Sequence, residues 1–504
     1  MKLNYKRTIC VGFAFFLICA FWQAYDNTIP LMLTNTFGMS QAVSGVIMAL
    51  DNILALFMLP LFGAISDRSH HKRGRRTPFI IVGTIVAVAA FIALSFADAA
   101  QLKQISAVSA IDDPAAMTVI YASEADTPLI TPDGQAFVLS ELYTEEAFTQ
   151  ISSQTEGVVN PEYTAYVVPA RSAYIRQITH DSPGPLIFFI ALLLMALISM
   201  ATFRSPAVAL MPDVTIKPLR SKANAVINLM GTAGGILVLI LGIVFATGAL
   251  KNSMMNYTRY YLIIAGIMIA ALIIFLLTVH EPQFVREMQE ESRRLGLDDG
   301  PDESEEEKAS GSAILSAGQK RSLIFLLMSI VLWFTGYNAI TSKFSVYASN
   351  ILHKDYNLTL IIAQIAAILA YLPVGMIASK VGRKKSILAG VAMLAIAFGA
   401  AVFMRADSPA LMMNLLFALA GIGWATINVN SFPMVVEMCS GSDVGRYTGF
   451  YYTASMAAQV ITPIFSGFLM DRLGMTVLFP YAVVFVIGSF ITMLFVRHGD
   501  SRPV

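Results

Sequence analysis

The sequence predicts an all-α membrane protein whose twelve transmembrane helices form two pseudo-symmetric six-helix bundles, with a small extracytoplasmic insert between spans 3 and 4. Three observations support this fold class. Hydrophobic residues make up 56% of the 504 residues and charged residues only 13%, and the mean hydropathy is +0.66, unlike the composition of soluble domains. Twelve apolar runs are long enough to cross a bilayer. A motif of glycine, acidic and basic residues in the first half has a weaker copy in the second.

The predicted spans are set by length and apolar content. A helix needs about 20 mostly apolar residues to cross the hydrocarbon core. The runs that meet this requirement are residues 9–35, 41–66, 77–97, 185–211, 222–249, 258–279, 322–347, 358–379, 386–404, 409–438, 446–470 and 476–496. Prolines within or near span ends are expected to kink the helices locally; they are Pro60, Pro206, Pro373, Pro433 and Pro463.

The distribution of Lys and Arg predicts the orientation. With the N-terminus inside, the loops and termini on the cytoplasmic side hold 24 of the 34 basic residues, whereas the external segments hold eight. Loops rich in Lys and Arg stay in the cytoplasm. We therefore expect a multi-pass protein of the cell (plasma) membrane with both termini cytoplasmic. The first apolar run has no clear cleavage site, so it is expected to remain as a span.

Two polar segments predict the domain organisation. Residues 280–321 mix charged residues with Gly and Ser and are expected to form a solvated cytoplasmic linker. This linker separates an N-terminal six-span bundle, residues 1–279, from a C-terminal bundle, residues 322–504. Residues 98–182 carry 12 acidic residues against 3 basic ones. They are expected to form a folded extracytoplasmic insert, with a disordered acidic loop as the alternative.

Short β-prone runs in the insert indicate strands. They are separated by Asp-Pro, Thr-Pro and Pro-Asp-Gly sequences that are typical of turns. The runs are Thr118–Tyr121, Ala136–Leu139 and Tyr163–Val168.

The strongest local motif joins the second and third spans. A glycine at a helix end permits close approach of a neighbouring helix, and an aspartate with arginines beyond it can hold cytoplasmic helix ends together. The motif residues are Gly63, Asp67, Arg68, Gly74, Arg75 and Arg76. The weaker copy between spans 8 and 9 consists of Gly375, Ser379, Lys380, Gly382, Arg383, Lys384 and Lys385. Two acid–base pairs bracket later loops and are expected to be cytoplasmic gate contacts: Asp213 with Arg220, and Glu437 with Arg446.

These motifs resemble the major facilitator superfamily, whose signature after the second span is G-x-x-x-D-R-x-G-R-R. The chain is similar to the sucrose-type proton symporters within it, solute carrier family 45 and its bacterial relatives. The glycoside–pentoside–hexuronide cation symporters are a neighbouring family. Arg204 in the fourth span and Pro78-Phe79-Ile80 after the motif add to the likeness. The resemblance implies two bundles that alternate access around a central site. Ser379 in place of an aspartate, and the 85-residue insert, depart from the pattern.

Charged residues inside the spans are the candidates for coupling. Each costs about 2.5–3.5 kcal/mol at mid-helix, so each needs a partner or a wet cavity. Asp26, Asp51 and Arg204 are expected to carry proton coupling, because a carboxylate that alternates between a desolvated site and one beside an arginine can bind and release a proton. The alternative is a fixed ion pair that only holds helices together. Lys343, near a span end, is expected to snorkel to the interface.

Polar and aromatic residues around these charges suit a sugar, since amides bind hydroxyl groups and aromatic faces bind C–H surfaces. Packing or an interfacial position is the alternative for each of them. The expected substrate-binding residues are Trp22, Gln23, Tyr25, Asn27, Asn52, Asn228, Trp333, Tyr337, Asn338, Gln364, Trp424, Asn428 and Tyr452, with Asn430, Tyr451 and Gln459 as weaker candidates.

Other function classes lack support in the sequence. It contains no phosphate-binding loop and no nucleophile motif, so an enzyme is not expected. The three cysteines all lie in apolar runs, and neither a disulfide framework, a metal site nor a cofactor is expected. We expect a monomer in the lipid bilayer whose partners are a small solute, expected to be a sugar, and a coupling cation, expected to be a proton, without nucleic acid. The alternatives are a proton-driven exporter of amphiphilic compounds and a non-transporting sensor that uses the insert.

Overall fold

The computed structural model describes residues 3–155, 158–216, 219–295, 316–436, 438 and 444–499. Twelve long helices form its frame. The first six are α1 (Tyr5–Leu31), α2 (Gln41–Asp67), α3 (Thr77–Gln104), α9 (Gly184–Asp213), α10 (Arg220–Val244) and α11 (Thr258–Thr278). The second six are α13 (Ala317–Tyr347), α14 (Tyr356–Val381), α15 (Arg383–Ala401), α16 (Ala410–Val436), α17 (Val444–Leu473) and α18 (Leu478–Leu494).

The helices match the predicted spans closely. Within the described ranges, eleven of them are long and apolar enough to cross a membrane, and α14 contributes a shorter apolar stretch, Tyr356–Tyr371. The protein is therefore a multi-pass membrane protein. Helix starts follow the local sequence: Ser40 caps α2, and Ser316 with Gln319 forms a capping box at the start of α13. All five prolines noted in the sequence lie inside helices.

The two halves repeat one another in detail. Their first helices, α1 and α13, both continue into a π-helical turn, at Met32–Thr36 and Ala348–Leu352 respectively. Each half has its own cluster of buried apolar residues. The fold is thus two pseudo-symmetric six-helix bundles.

The halves pack tightly at one end, where α2 meets α17. A Cβ atom added at Gly45 would lie 2.0 Å from the Pro463 carbonyl oxygen, and one added at Gly467 would lie 2.2 Å from the Gln41 carbonyl oxygen. Only glycine allows backbones to approach so closely. This is also the end at which the insert lies, and we call it the insert side. The opposite end, with the basic loop 68–76, is the basic-loop side.

The insert is folded and mainly helical. Its helices are α4 (Ser106–Ser109), α5 (Pro114–Glu124), α6 (Leu139–Leu142), α7 (Glu145–Thr149) and α8 (Val168–Asp181). Two short antiparallel pairs join β1 (Leu129–Ile130) to β2 (Ala136–Phe137) and β3 (Gln154–Thr155) to β4 (Val158–Val159). The insert has its own apolar core, which includes Ile120, Leu139, Phe148, Tyr163 and Ile175.

The prediction of strands in the insert was wrong for two of the three runs. Thr118–Tyr121 lies within α5, and Tyr163–Val167 forms a π-helical turn, whereas Ala136–Phe137 is a strand. The Asp-Pro sequence explains the first error. Asp113 caps α5 by accepting the Ala115 N–H at 3.0 Å, and the proline that follows it occupies the first turn, where it is tolerated. The dipeptide therefore starts a helix.

One further helix, α12 (Glu281–Arg294), follows α11 at the start of the predicted linker. Residues 296–315 of that linker lie outside the described residues.

Candidate functional site

The central cavity lies between the two halves and has a volume of about 370 Å³. Helices α1 and α10 form one wall and α13, α14 and α16 form the other. Six predicted substrate-binding residues line it: Trp22, Gln23, Asn27, Tyr337, Gln364 and Trp424.

An amide pair bridges the two halves within this cavity. The Gln364 Nε2 donates to the Gln23 Oε1 at 2.5 Å. Gly235 on α10 makes room for the pair, because a Cβ atom there would lie 3.3 Å from the Gln23 Oε1 and 3.4 Å from the Gln364 Oε1. Both amides keep further donors and acceptors for a solute.

An aromatic platform forms part of the cavity wall that the second half contributes. The rings of Tyr337 and Trp424 are parallel, with their centroids 3.7 Å apart, and Phe334 packs edge-on against Trp424. Rings that are fixed by stacking offer a preorganised apolar surface to a ligand at low entropic cost.

A second cavity, of about 200 Å³, adjoins the first. The two share Trp22, Asp26 and Thr341 in their walls. The second cavity is also lined by Asp51, Asn52, Arg204, Asn338 and Gln459. The structure therefore brings all three predicted coupling residues to one space, although they come from α1, α2 and α9.

The charges in this second cavity are held without a direct ion pair. Among the described residues, the salt bridges include none between Arg204 and either carboxylate. The Arg204 guanidinium instead lies 5.5 Å from the centroid of the Trp22 ring, and Asp51 accepts a hydrogen bond from the Asn52 Nδ2 at 2.7 Å. Neither Asp26 nor Asp51 is therefore fixed to Arg204 by an ion pair in this conformation.

Several predicted substrate-binding residues do not line either cavity. Tyr25 and Trp333 are fully buried; Tyr25 packs beside Phe21 and Trp22, and Trp333 belongs to the core of the second half. In this conformation they are packing residues. The other residues outside the two cavities are Asn228, Asn428, Asn430, Tyr451 and Tyr452.

Lys343 does not snorkel, and that prediction was wrong. Its side chain is fully buried, and its Nζ donates to the Gln41 carbonyl oxygen at 2.8 Å. The lysine lies on the face of α13 that meets the start of α2, so it joins the two halves. Thr247 and Asn357 join them near the same side, with Asn357 Nδ2 donating to the Thr247 Oγ1 at 3.1 Å.

The motif after α2 forms a charged latch on the basic-loop side. Asp213 accepts from Arg75 Nη2 at 2.6 Å and from Arg76 Nε at 2.8 Å. Arg76 also contacts Asp67 and is 5% exposed. Gly63 lets α2 approach α9, because a Cβ atom there would lie 2.9 Å from the Ser205 Oγ.

The other predicted gate residues are placed differently. Arg68 is exposed. Glu437 lies outside the described residues, as do the side chains of Arg220 and Arg446. Asp213 is paired with the arginines of the first motif.

Glu281 completes the latch and was not among the residues predicted from the sequence. This carboxylate is 1% exposed and accepts from the Thr77 N–H at 2.8 Å and the Thr77 Oγ1 at 2.7 Å. It caps the N-terminus of α3, where a negative charge is favoured. Gly74, with φ of 107°, leaves space for it, since a Cβ atom there would lie 2.2 Å from the Glu281 Cδ. The one sequence feature that could have indicated Glu281 is its position directly after the apolar span 258–279.

The chain matches known protein families in sequence and solved transporters in structure. The family model described as Major Facilitator Superfamily matches residues 173–363 and 353–504, more than half of the chain. A model described as MFS/sugar transport protein matches residues 10–111. No curated protein matches the sequence.

Three solved structures illustrate the fold. The E. coli xylose transporter XylE in an inward open conformation is similar with a TM-score of 0.57 and 14% identity, covering 98% of this chain and 97% of that one. A D-xylose-proton symporter is similar with a TM-score of 0.58 and 13% identity, and the match covers 98% of this chain and 99% of that one. The nucleoside transporter NupG has a TM-score of 0.53 and 14% identity, covering 97% and 99%. The chain belongs to the major facilitator superfamily.

Proposed function

We propose that the protein is a secondary active transporter that couples the entry of protons to the uptake of a sugar, a disaccharide or glycoside, by alternating access. One observation carries the proposal. The cavity lined by Asp26, Asp51 and Arg204 shares walls with the larger cavity between the halves. A charge change in the smaller cavity can therefore act directly on a solute in the larger one.

The charge balance of the smaller cavity supports proton coupling. Two carboxylates and one guanidinium carry a net charge of −1 when all three are ionised, and a single bound proton makes the set neutral. Moving a neutral set through a closed, poorly hydrated state costs far less than moving a charged one. Protonation is thus a condition for the conformational change.

The chemistry of the larger cavity supports a sugar. Its volume falls within the roughly 300–1,000 Å³ that is typical of small-molecule sites. The amide pair Gln23–Gln364 and the stacked rings of Tyr337 and Trp424 combine hydrogen-bonding groups with a flat apolar face. XylE is named as a xylose transporter, which agrees in kind with a sugar as the solute here.

We further propose the orientation and the moving parts. The basic-loop side faces the cytoplasm, together with both termini, in a cell (plasma) membrane, because most Lys and Arg residues lie on that side. Residues 1–279 and 322–504 form the bundles that move relative to one another, and the protein acts as a monomer without a cofactor.

The proposal is tested by transport in liposomes. Purified protein is reconstituted, and uptake of a panel of labelled disaccharides, glycosides and monosaccharides is measured with and without an imposed inward proton gradient. We expect gradient-driven accumulation of at least one sugar. Asp26→Asn and Asp51→Asn should each reduce accumulation at least tenfold, and the residue that binds the coupled proton should keep exchange of labelled for unlabelled sugar.

The matched control is Asp407→Asn, which removes a carboxylate from an exposed loop outside both cavities. It should accumulate sugar at the parental rate. Normal accumulation by both cavity variants would refute the coupling assignment. Failure of the parent protein to move any sugar would refute the substrate class.

A second candidate is proton-driven export of amphiphilic compounds. The apolar part of the larger cavity favours it, since Ile340, Leu360, Ile368 and Phe417 all line the cavity. The same liposomes distinguish the two functions. A proton-driven exporter should move a lipophilic cation in the direction opposite to the proton flow and should leave the sugars unmoved.

A further inference from the structure

The insert reaches across from the first half to the second. The tip of its first hairpin, residues 131–135, lies between β1 and β2. This tip contacts residues 473–475, where α17 ends and the next turn begins. The Met475 N–H donates to the Pro132 carbonyl oxygen at 2.6 Å. We call this contact between residues 131–135 and 473–475 the clasp.

Two glycines give the clasp its closeness. Gly134 has φ of 95° and Gly474 has φ of 86°, which L side chains rarely adopt. A Cβ atom added at Gly134 would lie 2.9 Å from the Leu473 carbonyl oxygen, and one added at Gly474 would lie 2.6 Å from the Asp133 carbonyl carbon. The two backbones therefore touch without intervening side chains.

The hairpin tip is ordered by its own hydrogen bonds. Thr131 N–H donates to the Gln135 carbonyl oxygen at 2.8 Å, and Gly134 N–H donates to the Thr131 carbonyl oxygen at 2.9 Å. The Gln135 N–H also donates to the Thr131 Oγ1 at 2.9 Å. Because the tip is preorganised, little conformational entropy is lost when it meets α17.

The clasp lies next to the place where α17 holds α2. Asp471, four residues before Met475, accepts from the Gln41 N–H at 2.7 Å and from the Ala42 N–H at 2.8 Å. Its carboxylate thus caps the N-terminus of α2, where negative charge is favoured. Lys343 donates to the Gln41 carbonyl oxygen at the same point. The end of α17 is therefore fixed by α2 and by the insert together.

The insert also has firm anchors in the first half and a second contact with the other half. Arg176 Nε donates to the Gly38 carbonyl oxygen at 3.0 Å, and Gln101 Nε2 donates to the Thr179 Oγ1 at 2.9 Å. At the end of α13, His353 Nε2 lies 3.3 Å from the Thr164 Oγ1. The insert is therefore hydrogen-bonded to the first half and contacts the second half at two points.

We propose that the insert is a built-in brake: its clasp on α17 stabilises the conformation closed on the insert side and sets how often the pathway opens there. The inference rests on the proposed alternating-access function. Opening on the insert side moves the end of α17 away from α2. Because the insert is anchored to the first half, the Met475–Pro132 hydrogen bond must break at each opening.

The test removes this hydrogen bond with one substitution. Met475 is the first residue of a short 3-10 helix, Met475–Val477, and proline is well tolerated at a first helical position. Met475→Pro therefore deletes the N–H donor and keeps the helix, whereas Met475→Ala deletes the side chain and keeps the donor. The pair isolates the clasp bond.

The readout is opening on the insert side. Ser44 on α2 is completely buried and directly precedes Gly45, which packs against the Pro463 backbone. We therefore expect Ser44→Cys, in a chain whose native cysteines are replaced by serine, to be labelled only when this side opens. A membrane-impermeant thiol reagent is applied from the insert side. One hydrogen bond of about 1 kcal/mol predicts roughly five-fold faster labelling for Met475→Pro and the parental rate for Met475→Ala.

A second variant keeps the test decisive if the proline disturbs folding. Gly134→Asn strains the hairpin less than other side chains would, because asparagine is enriched at positive φ, and its Cβ atom would lie 2.9 Å from the Leu473 carbonyl oxygen. It should also speed labelling. Parental rates in both Met475→Pro and Gly134→Asn would overturn the brake. Labelling needs neither solute nor proton gradient, so this outcome is separate from any failure of sugar uptake.

Discussion

Gly235 shows how one absent side chain shapes the central cavity. It faces the amide pair of Gln23 and Gln364. A Cβ atom added at Gly235 would lie 3.3 Å from the Gln23 Oε1 and 3.4 Å from the Gln364 Oε1. A branched side chain at this position would occupy the space that the proposed solute needs. The residue is therefore a point at which binding can be blocked without altering any charge.

We expect Gly235→Leu to reduce sugar uptake at least tenfold while the protein remains folded. The leucine displaces the amide pair and fills the cavity, and it replaces a glycine in a helix interior, which by itself favours the helix by about 1 kcal/mol. Uptake in liposomes and the thermal unfolding midpoint measure the two effects. Gly266→Leu is the control, because nothing lies within 4 Å of a Cβ atom there. Parental uptake by Gly235→Leu would place the solute elsewhere.

Seven of the residues that line the central cavity were named from the sequence, but the sequence could not assign which face of each helix meets the cavity. Trp22, Gln23 and Gln364 line the cavity. Tyr25 on α1 and Trp333 on α13, two helices that also contribute to the cavity wall, are instead buried in the cores of their own halves. In a span that is apolar on all sides, hydrophobic periodicity does not separate the faces. Lys343 was misassigned for a related reason, since its partner is a backbone carbonyl on a distant helix.

At the scale of elements, α12 and α3 depend on one carboxylate. Glu281 opens α12 and caps α3 by accepting from Arg76 and Thr77. A charged acceptor of this kind stabilises a folded protein by about 1.5–3 kcal/mol. Because Glu281 accepts from the Arg76 N–H, it also fixes the position of the latch that Arg76 forms with Asp67 and Asp213.

Glu281→Gln should lower the thermal unfolding midpoint by several degrees, because a neutral amide accepts these hydrogen bonds more weakly and no longer favours the helix N-terminus. Glu290→Gln is the matched control, since it removes an exposed carboxylate from the same helix; it should shift the midpoint by less than about one degree. Equal shifts in the two variants would show that Glu281 has no capping role.

The elements themselves were well predicted where apolar length decides the structure. Four helices, α2, α3, α9 and α11, start within one residue of the start of the corresponding predicted span. The insert was predicted less well. Its short runs of Val, Thr and Tyr favour strands only weakly, and helix caps such as Asp113 outweigh that preference. The clasp could not be predicted at all, because it joins two turns more than 300 residues apart in sequence.

At the scale of the whole molecule, the halves are joined by hydrogen bonds on the insert side and enclose the two connected cavities at mid-span. Asp471, Lys343 and the clasp hold the insert side closed. The proposed transport cycle requires these contacts to break while the cavities become accessible from that side. The cycle therefore requires that the cavities open to each side of the membrane in turn.

The most direct measurement is the labelling of Thr341→Cys, in a chain without native cysteines, by an impermeant thiol reagent applied to each side of oriented vesicles. Thr341 lines both cavities and is exposed. We expect fast labelling from the basic-loop side, slow labelling from the insert side, and protection from both sides by a transported sugar. Labelling from one side only under every condition, or from neither side, would contradict the account.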